Sequence, residues 1–270
     1  MAMFQCHFKS RVQDMHSSFN VIIPEQCIDD IPVVYLLHGL AGDENNWPRF
    51  TAIERYATER NLAVVMPGVG KHFYSDVREG SMDYSYIVDE LIAYCCRIFP
   101  LSKKREKTFI AGLSMGGYGA FKIAFGQSER FAACASLSGV VDLCHRVVQE
   151  DFFEVSRNTW GENFVQDLPG SKHDLYELVH RLETEGRPKP WVFQSCGVED
   201  FLYEDNQRFK NFMGNQDFVY EYHEGPGAHT WDVWDFWIVH ALDFFRRYMK
   251  EHGVKENVDP DYKQSVNVVV

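Results

Sequence analysis

The 270-residue chain reads as an α/β protein, a largely parallel sheet with helices on both faces. Three observations predict this. Short strand-like runs alternate with helical ones over most of the length, the pattern of parallel strands joined by crossover helices. Several runs are apolar without interruption, as strands covered on both faces must be. The apolar share is 45% and the charged share 24%, near the globular average, so disordered, collagenous and disulfide-stapled alternatives fall away. One domain over residues 1–270 is expected, because a chain this long can bury roughly three quarters of its unfolded surface around one core.

Residues 19–23 alternate and stop at Pro24, as a partly exposed early strand would. The runs 33–37, 62–66, 108–111, 132–137 and 191–195 are apolar enough for buried strands, and 218–222 is the last candidate. Between them, 53–60, 84–98, 118–125, 206–213 and 231–249 carry apolar residues at three- and four-residue spacing, which predicts helices. The stretch 141–190 breaks the rhythm. It is polar and aromatic, with helical patterns near 143–155 and 174–183 and no convincing strand, and it reads as a small cap inserted over the sheet. The tail after Gly253 reads as loosely docked.

Lys+Arg number 27 and Asp+Glu 39, a net charge of −12. Such a surface repels phosphate backbones and anionic lipid, so neither a nucleic acid nor a membrane partner is expected. No apolar run approaches the ~18 residues of a membrane span, and the first residues lack the basic-then-apolar pattern of a secretory signal. Seven cysteines, an odd number with no CxxC pair, fit reduced core thiols and a cytoplasmic location better than disulfides or a zinc site.

Gly112-Leu113-Ser114-Met115-Gly116 follows a predicted strand and opens a predicted helix. A serine on a sharp strand-to-helix turn is lifted clear of the sheet, and the residues two before and two after it crowd the turn, which favours glycine at both. With 15 serines and 19 glycines in the chain, about 0.07 such motifs are expected by chance, so the match carries weight. Its hydroxyl needs a base. In this architecture acid and histidine follow the serine in that order, which leaves His223, His229, His240 and His252. His229 alone stands in a strand-to-helix loop, Gly225-Pro226-Gly227-Ala228-His229, where a correctly aimed imidazole belongs. The acid should leave the loop after 191–195. Asp200 and Glu199 compete there, and Asp200 is favoured by its Gly-x-x-Asp setting and shorter side chain. Asp205 suits a helix N-cap better. Oxyanion donors are expected at the Met115 amide and, in the loop His38-Gly39-Leu40-Ala41-Gly42, at the Leu40 amide. His38 precedes the serine and reads as structural.

Together with Gly117-Tyr118-Gly119-Ala120, Gly197 to Asp200 and His229-Thr230-Trp231, these motifs resemble the esterase D / putative esterase family of α/β-hydrolases over nearly the whole chain. That family includes S-formylglutathione hydrolases, short-chain acyl esterases, feruloyl esterases and mycolyltransferases. The resemblance implies the α/β-hydrolase fold, with a mostly parallel eight-stranded sheet. It implies a serine carboxylesterase acting on small feruloyl, cinnamoyl or short-chain acyl esters, with Ser114, His229 and Asp200 as triad and Leu40 and Met115 as oxyanion donors. No metal or organic cofactor is required. S-formylglutathione hydrolases usually carry a cysteine shortly after the oxyanion loop, and 40–47 has none, which weakens a thioesterase alternative. An acyltransferase is a further alternative, and a non-catalytic binding module a distant one. Trp160 is a candidate contact for an aromatic substrate group, Phe152, Phe153 and Phe164 could serve likewise, and Lys71-His72-Phe73-Tyr74 is a candidate site lining. Exposed early strands make a homodimer an expectation.

Overall fold

The structure, a computed structural model describing residues 1–77 and 80–262, builds one eight-stranded sheet from β1 (Ala2–Ser10), β2 (Met15–Ile23), β3 (Val33–Leu37), β4 (Ala63–Pro67), β5 (Thr108–Leu113), β6 (Ala133–Leu137), β7 (Trp191–Gly197) and β8 (Tyr220–Gly225). Their order across the sheet is β1-β2-β4-β3-β5-β6-β7-β8. β2 runs antiparallel to both β1 and β4, and the other pairings are parallel. The sheet is therefore mixed, though mostly parallel. Register aligns Leu37 with Gly112, Leu113 with Leu137, and Leu137 with Ser195, so the carboxyl ends of β3, β5, β6 and β7 share one edge. Ligands of open α/β sheets bind at that edge.

The helices are α1 (Asn46–Phe50), α2 (Ile53–Glu59), α3 (Asp83–Ser85), α4 (Ile92–Ile98), α5 (Met115–Gly126), α6 (Leu143–Arg146), α7 (Glu150–Trp160), α8 (Phe164–Asp167), α9 (Leu175–Thr184), α10 (Tyr203–Met213) and α11 (Trp231–Glu251). A π-helical stretch, Tyr86–Leu91, joins α3 to α4. The uninterrupted apolar strands serve two cores, because alternate side chains leave a strand on opposite faces. Val33, Tyr35 and Leu37 pack with Phe121 and Phe125 of α5 and Phe209 of α10. Val34 and Leu36 face the other way, onto Ile53 of α2 and Trp234, Ile238 and Phe245 of α11.

Sequence patterning misses β1, although Phe4, Cys6 and Phe8 alternate with Gln5, His7 and Lys9. An edge strand with one neighbour keeps much of its polar face in solvent, so its signal is weak. The segment 141–190 holds α6 to α9 and, among the described residues, no strand. Asp205 is not an N-cap: Leu202 takes that position, and Asp205 is buried inside α10 with ion pairs to Arg146 and Arg208. The last part of the tail, beyond 262, lies outside the described residues. Among those residues no helix is long and apolar enough to cross a membrane.

Candidate active site

Ser114 stands between β5 and α5 with φ 53° and ψ −120°, in a region side-chain-bearing residues rarely adopt and which costs on the order of 1–3 kcal/mol. Its N–H donates to Leu137 O at 2.9 Å, tying the turn to β6. The flanking glycines are steric requirements. A Cβ at Gly112 would lie 2.3 Å from Gly116 O, and one at Gly116 would lie 2.5 and 2.6 Å from the carbonyl oxygens of Leu37 and His38. Both are contacts no side chain can relieve, because the obstacle is backbone.

The Ser114 hydroxyl lies 2.9 Å from His229 Nε2. His229 Nδ1 lies 2.8 Å from Asp200 Oδ2. An ionised carboxylate only accepts, so Nδ1 carries the proton and Nε2 is left to accept from the hydroxyl. Asp200 is buried, and its second oxygen accepts the Leu202 N–H at 2.8 Å. Glu199 plays a different part. Its carboxylate accepts the Gly227 N–H and its own N–H donates to Gly227 O at 3.1 Å, pinning the loop that carries His229. That loop approaches so closely that a Cβ at Gly197 would lie 2.0 Å from Gly227 O. Phe201 and Trp234 flank the imidazole, with ring centroids 4.7 and 4.8 Å away. Sequence patterning identifies neither these rings nor the staple at Glu199; adjacency of Glu199 to Asp200 is the one available hint.

The loop after β3 turns back through a Gly42 N–H to Gly39 O bond of 3.0 Å, and Leu40 lines the groove beside Ser114. Met115 is the first residue of α5, so its N–H has no intrahelical acceptor. His38 is a strut: Nδ1–H donates to Gly39 O at 2.7 Å and Nε2 accepts the Val69 N–H at 3.1 Å. Burial pushes its pKa down, keeping it in that neutral form.

A groove of about 610 Å³ runs over the serine, walled by Leu40, Phe50, Phe152, Phe201, Trp231 and Trp234. Phe152 lies in it as the sequence suggests. Trp160 does not line it: its ring packs on Phe73 (5.4 Å) and His173 (5.7 Å), one layer behind Phe152. Phe73 and Tyr74 are likewise core residues, fully buried, and Tyr74 O–H donates to His38 O at 2.9 Å. An aromatic run next to a strand end reads the same whether it faces ligand or core, which is why these two expectations miss. Away from the groove, Asp142, His145 and Asp205 cluster within 4.8 Å. Arg208 pairs with both carboxylates and Arg146 with Asp205, so the negative charge a metal ion needs is already neutralised.

A sheet of this order presenting such a serine at its carboxyl edge is an α/β-hydrolase, and the class of chemistry the arrangement supports is nucleophilic attack by a serine hydroxyl. Comparison with known proteins adds the family. Residues 13–245 match the family described as "Putative esterase". The chain is 30% identical over 266 residues to an acetyl esterase of Caldicellulosiruptor saccharolyticus, covering 92% of this chain and 99% of that one. Two Staphylococcus aureus structures are each 35% identical, with 91% of this chain and 98% of theirs aligned. They are FphF, a fluorophosphonate-binding serine hydrolase, at a TM-score of 0.84, and the S-formylglutathione hydrolase FrmB at 0.82. The chain belongs to the Putative esterase family, and it is a serine esterase.

Proposed function

We propose that this esterase cleaves small acyl esters, short-chain or feruloyl in the acyl part, through a Ser114–His229–Asp200 triad and a covalent acyl-enzyme. The reading rests on the unbroken relay of 2.9 and 2.8 Å from hydroxyl to imidazole to carboxylate. Ser114 Oγ attacks the carbonyl carbon while its proton passes to His229 Nε2. The tetrahedral oxyanion is held by the Leu40 and Met115 amides, an interaction worth about 10²–10³ in rate per donor. His229 then protonates the leaving alcohol. Water, deprotonated by the same imidazole, attacks the acyl-enzyme and releases the acid. Asp200 holds the imidazole tautomer and stabilises the imidazolium. The reading includes a single domain with 141–190 as its cap. It also includes a cytoplasmic location, supported by seven free thiols, and a homodimer through the open edge of β1, which light scattering tests.

Ser114→Ala should lower p-nitrophenyl acetate turnover by roughly 10⁴–10⁶ with the circular dichroism spectrum unchanged, and a fluorophosphonate probe should label the parent enzyme at Ser114 alone. Residual turnover within tenfold of the parent contradicts the proposal. Likeness to FrmB at 35% identity favours a second reading, thioester hydrolysis. Comparing kcat/KM for S-formylglutathione, ethyl ferulate and p-nitrophenyl acetate on one preparation separates the two.

A further inference from the structure

About two turns along α5 from Ser114, a second cavity of about 220 Å³ opens between α5, the residues Asp76 and Tyr84, and α9. It shares no lining residue with the catalytic groove. Its inner wall is Lys122, only 3% exposed. The ammonium donates to Tyr74 O at 3.0 Å and Ser75 Oγ at 2.5 Å, and lies 5.5 Å from the ring centroids of Tyr84 and Tyr118. Among the described residues no carboxylate is within ion-pair distance of it. The other buried lysine among the described residues is treated differently: Lys107, 4% exposed, pairs with Asp30 at 2.9 Å.

Burial, and then the charge of Lys172, bring the Lys122 pKa down to about 7, so its positive charge is held there only if a counter-ion is supplied, and an ammonium has three protons to donate. Two of those on Lys122 go to neutral oxygens; the group also borders the cavity. Three further cations line the same space. Arg181 and Arg187 are held by Glu177 and by Glu129, whereas the exposed Lys172 has no carboxylate partner among the described residues. Of the two acids of the lining, Asp76 accepts from Ser85 N–H and Oγ–H, and Glu185 lies 3.6 Å from Arg187 within the lining itself. In a chain of net charge −12, the described lining thus leaves two basic groups, Lys122 and Lys172, without a carboxylate partner.

We propose that this cavity is a second ligand site that takes a small oxyanion, a carboxylate or phosphate group, between Lys122 and Lys172. The anion supplies the counter-charge that Lys122 lacks among the described residues, and so holds its amine protonated. A volume of about 220 Å³, some seven times a water molecule's share of the liquid, accommodates acetate or inorganic phosphate with residual water.

The test uses the full-length protein, first labelled at Ser114 with a fluorophosphonate so that the catalytic groove is blocked. Sodium acetate and sodium phosphate are titrated in by calorimetry at fixed ionic strength, up to about 10 mM. One saturable site is expected for at least one of them; acetate alone identifies a carboxylate site and phosphate alone a phosphate site. Lys172→Gln, at an exposed position that leaves the fold intact, should weaken binding about tenfold, and Lys122→Met by at least as much. No saturable binding of either anion overturns the proposal. So does binding that survives Lys172→Gln unchanged, or that appears only in unlabelled protein and therefore belongs to the groove.

Discussion

At the start of α5 the Ser114 hydroxyl, the His229 ring and the Asp200 carboxylate satisfy one another, and the chain of bonds ends on the Leu202 amide. Two turns on, the Lys122 amine is buried with only neutral oxygens for partners, its pKa brought down to about 7 by that burial, and His173 sits beside it as a neutral ring. One helix thus serves two regions with opposite treatments of buried polarity. In a low-dielectric interior a completed network is rigid, while an incomplete one is costly and open to an incoming group. The Ser114–His229–Asp200 relay at the sheet's rim is complete within the protein, as electrostatic preorganisation requires of the proposed triad. The seam between α5 and α9 is left unfinished.

The sharpest way to break this contrast is to unfinish the rim. Asp200→Asn keeps the shape of the side chain but removes the acceptor-only character that fixes a proton on His229 Nδ1. The imidazole can then present N–H, not a lone pair, to Ser114. We expect kcat to fall about 10⁴-fold with little change in melting temperature. Burst kinetics with p-nitrophenyl acetate would show loss of the acylation step. A fall below tenfold would mean that Asp200 is only packing. Backbone comes next in size. Gly116→Ala places a methyl against the Leu37 and His38 carbonyls, so the elbow must move or the strand must. Urea unfolding should show a loss of about 2–4 kcal/mol, typical of strain with no flexible neighbour to absorb it, and turnover should fall with it.

The same contrast explains what the sequence makes legible. Ser114, Asp200 and His229 can be read because each obeys a local rule: a glycine-framed turn, a loop after a strand, a fixed order along the chain. Glycines at 112, 116 and 197 carry the signal because close backbone approach forbids a side chain there. β3 to β7 are readable because burial on both faces leaves them largely apolar. The groove walls and the Lys122 cavity are not readable. Phe152 belongs to the core and also borders the groove over Ser114, whereas Phe164 belongs to the core and does not border that groove, yet both stand in the same aromatic stretch, and only packing tells them apart. Lys122 lies on a helix buried along its whole length, where a lone lysine gives no hint that its end is unpaired. Glu199 loses to its neighbour as a catalytic candidate, and its role as a staple depends on a loop 28 residues away.

The smallest effect should come from the seam, and it is read through pH. His173 is pushed down to about 2, first by burial and then by the charges of Lys122 and Lys172. In the unfolded chain the same ring titrates near 6.5. Above that value neither state binds the proton and the group is neutral to stability. As pH falls through 6.5 the unfolded chain takes up a proton that the folded chain refuses, so stability is lost progressively toward the folded value. Between pH 7 and 5.5 the loss from this one group is about 1 kcal/mol. Urea-unfolding free energies of the parent and of His173→Gln at those two pH values isolate it, since every other titrating group is common to both proteins. The variant should lose about 1 kcal/mol less on acidification. Equal losses would mean that the ring already has access to solvent protons, and that the seam is not the dry, cation-bordered region described above.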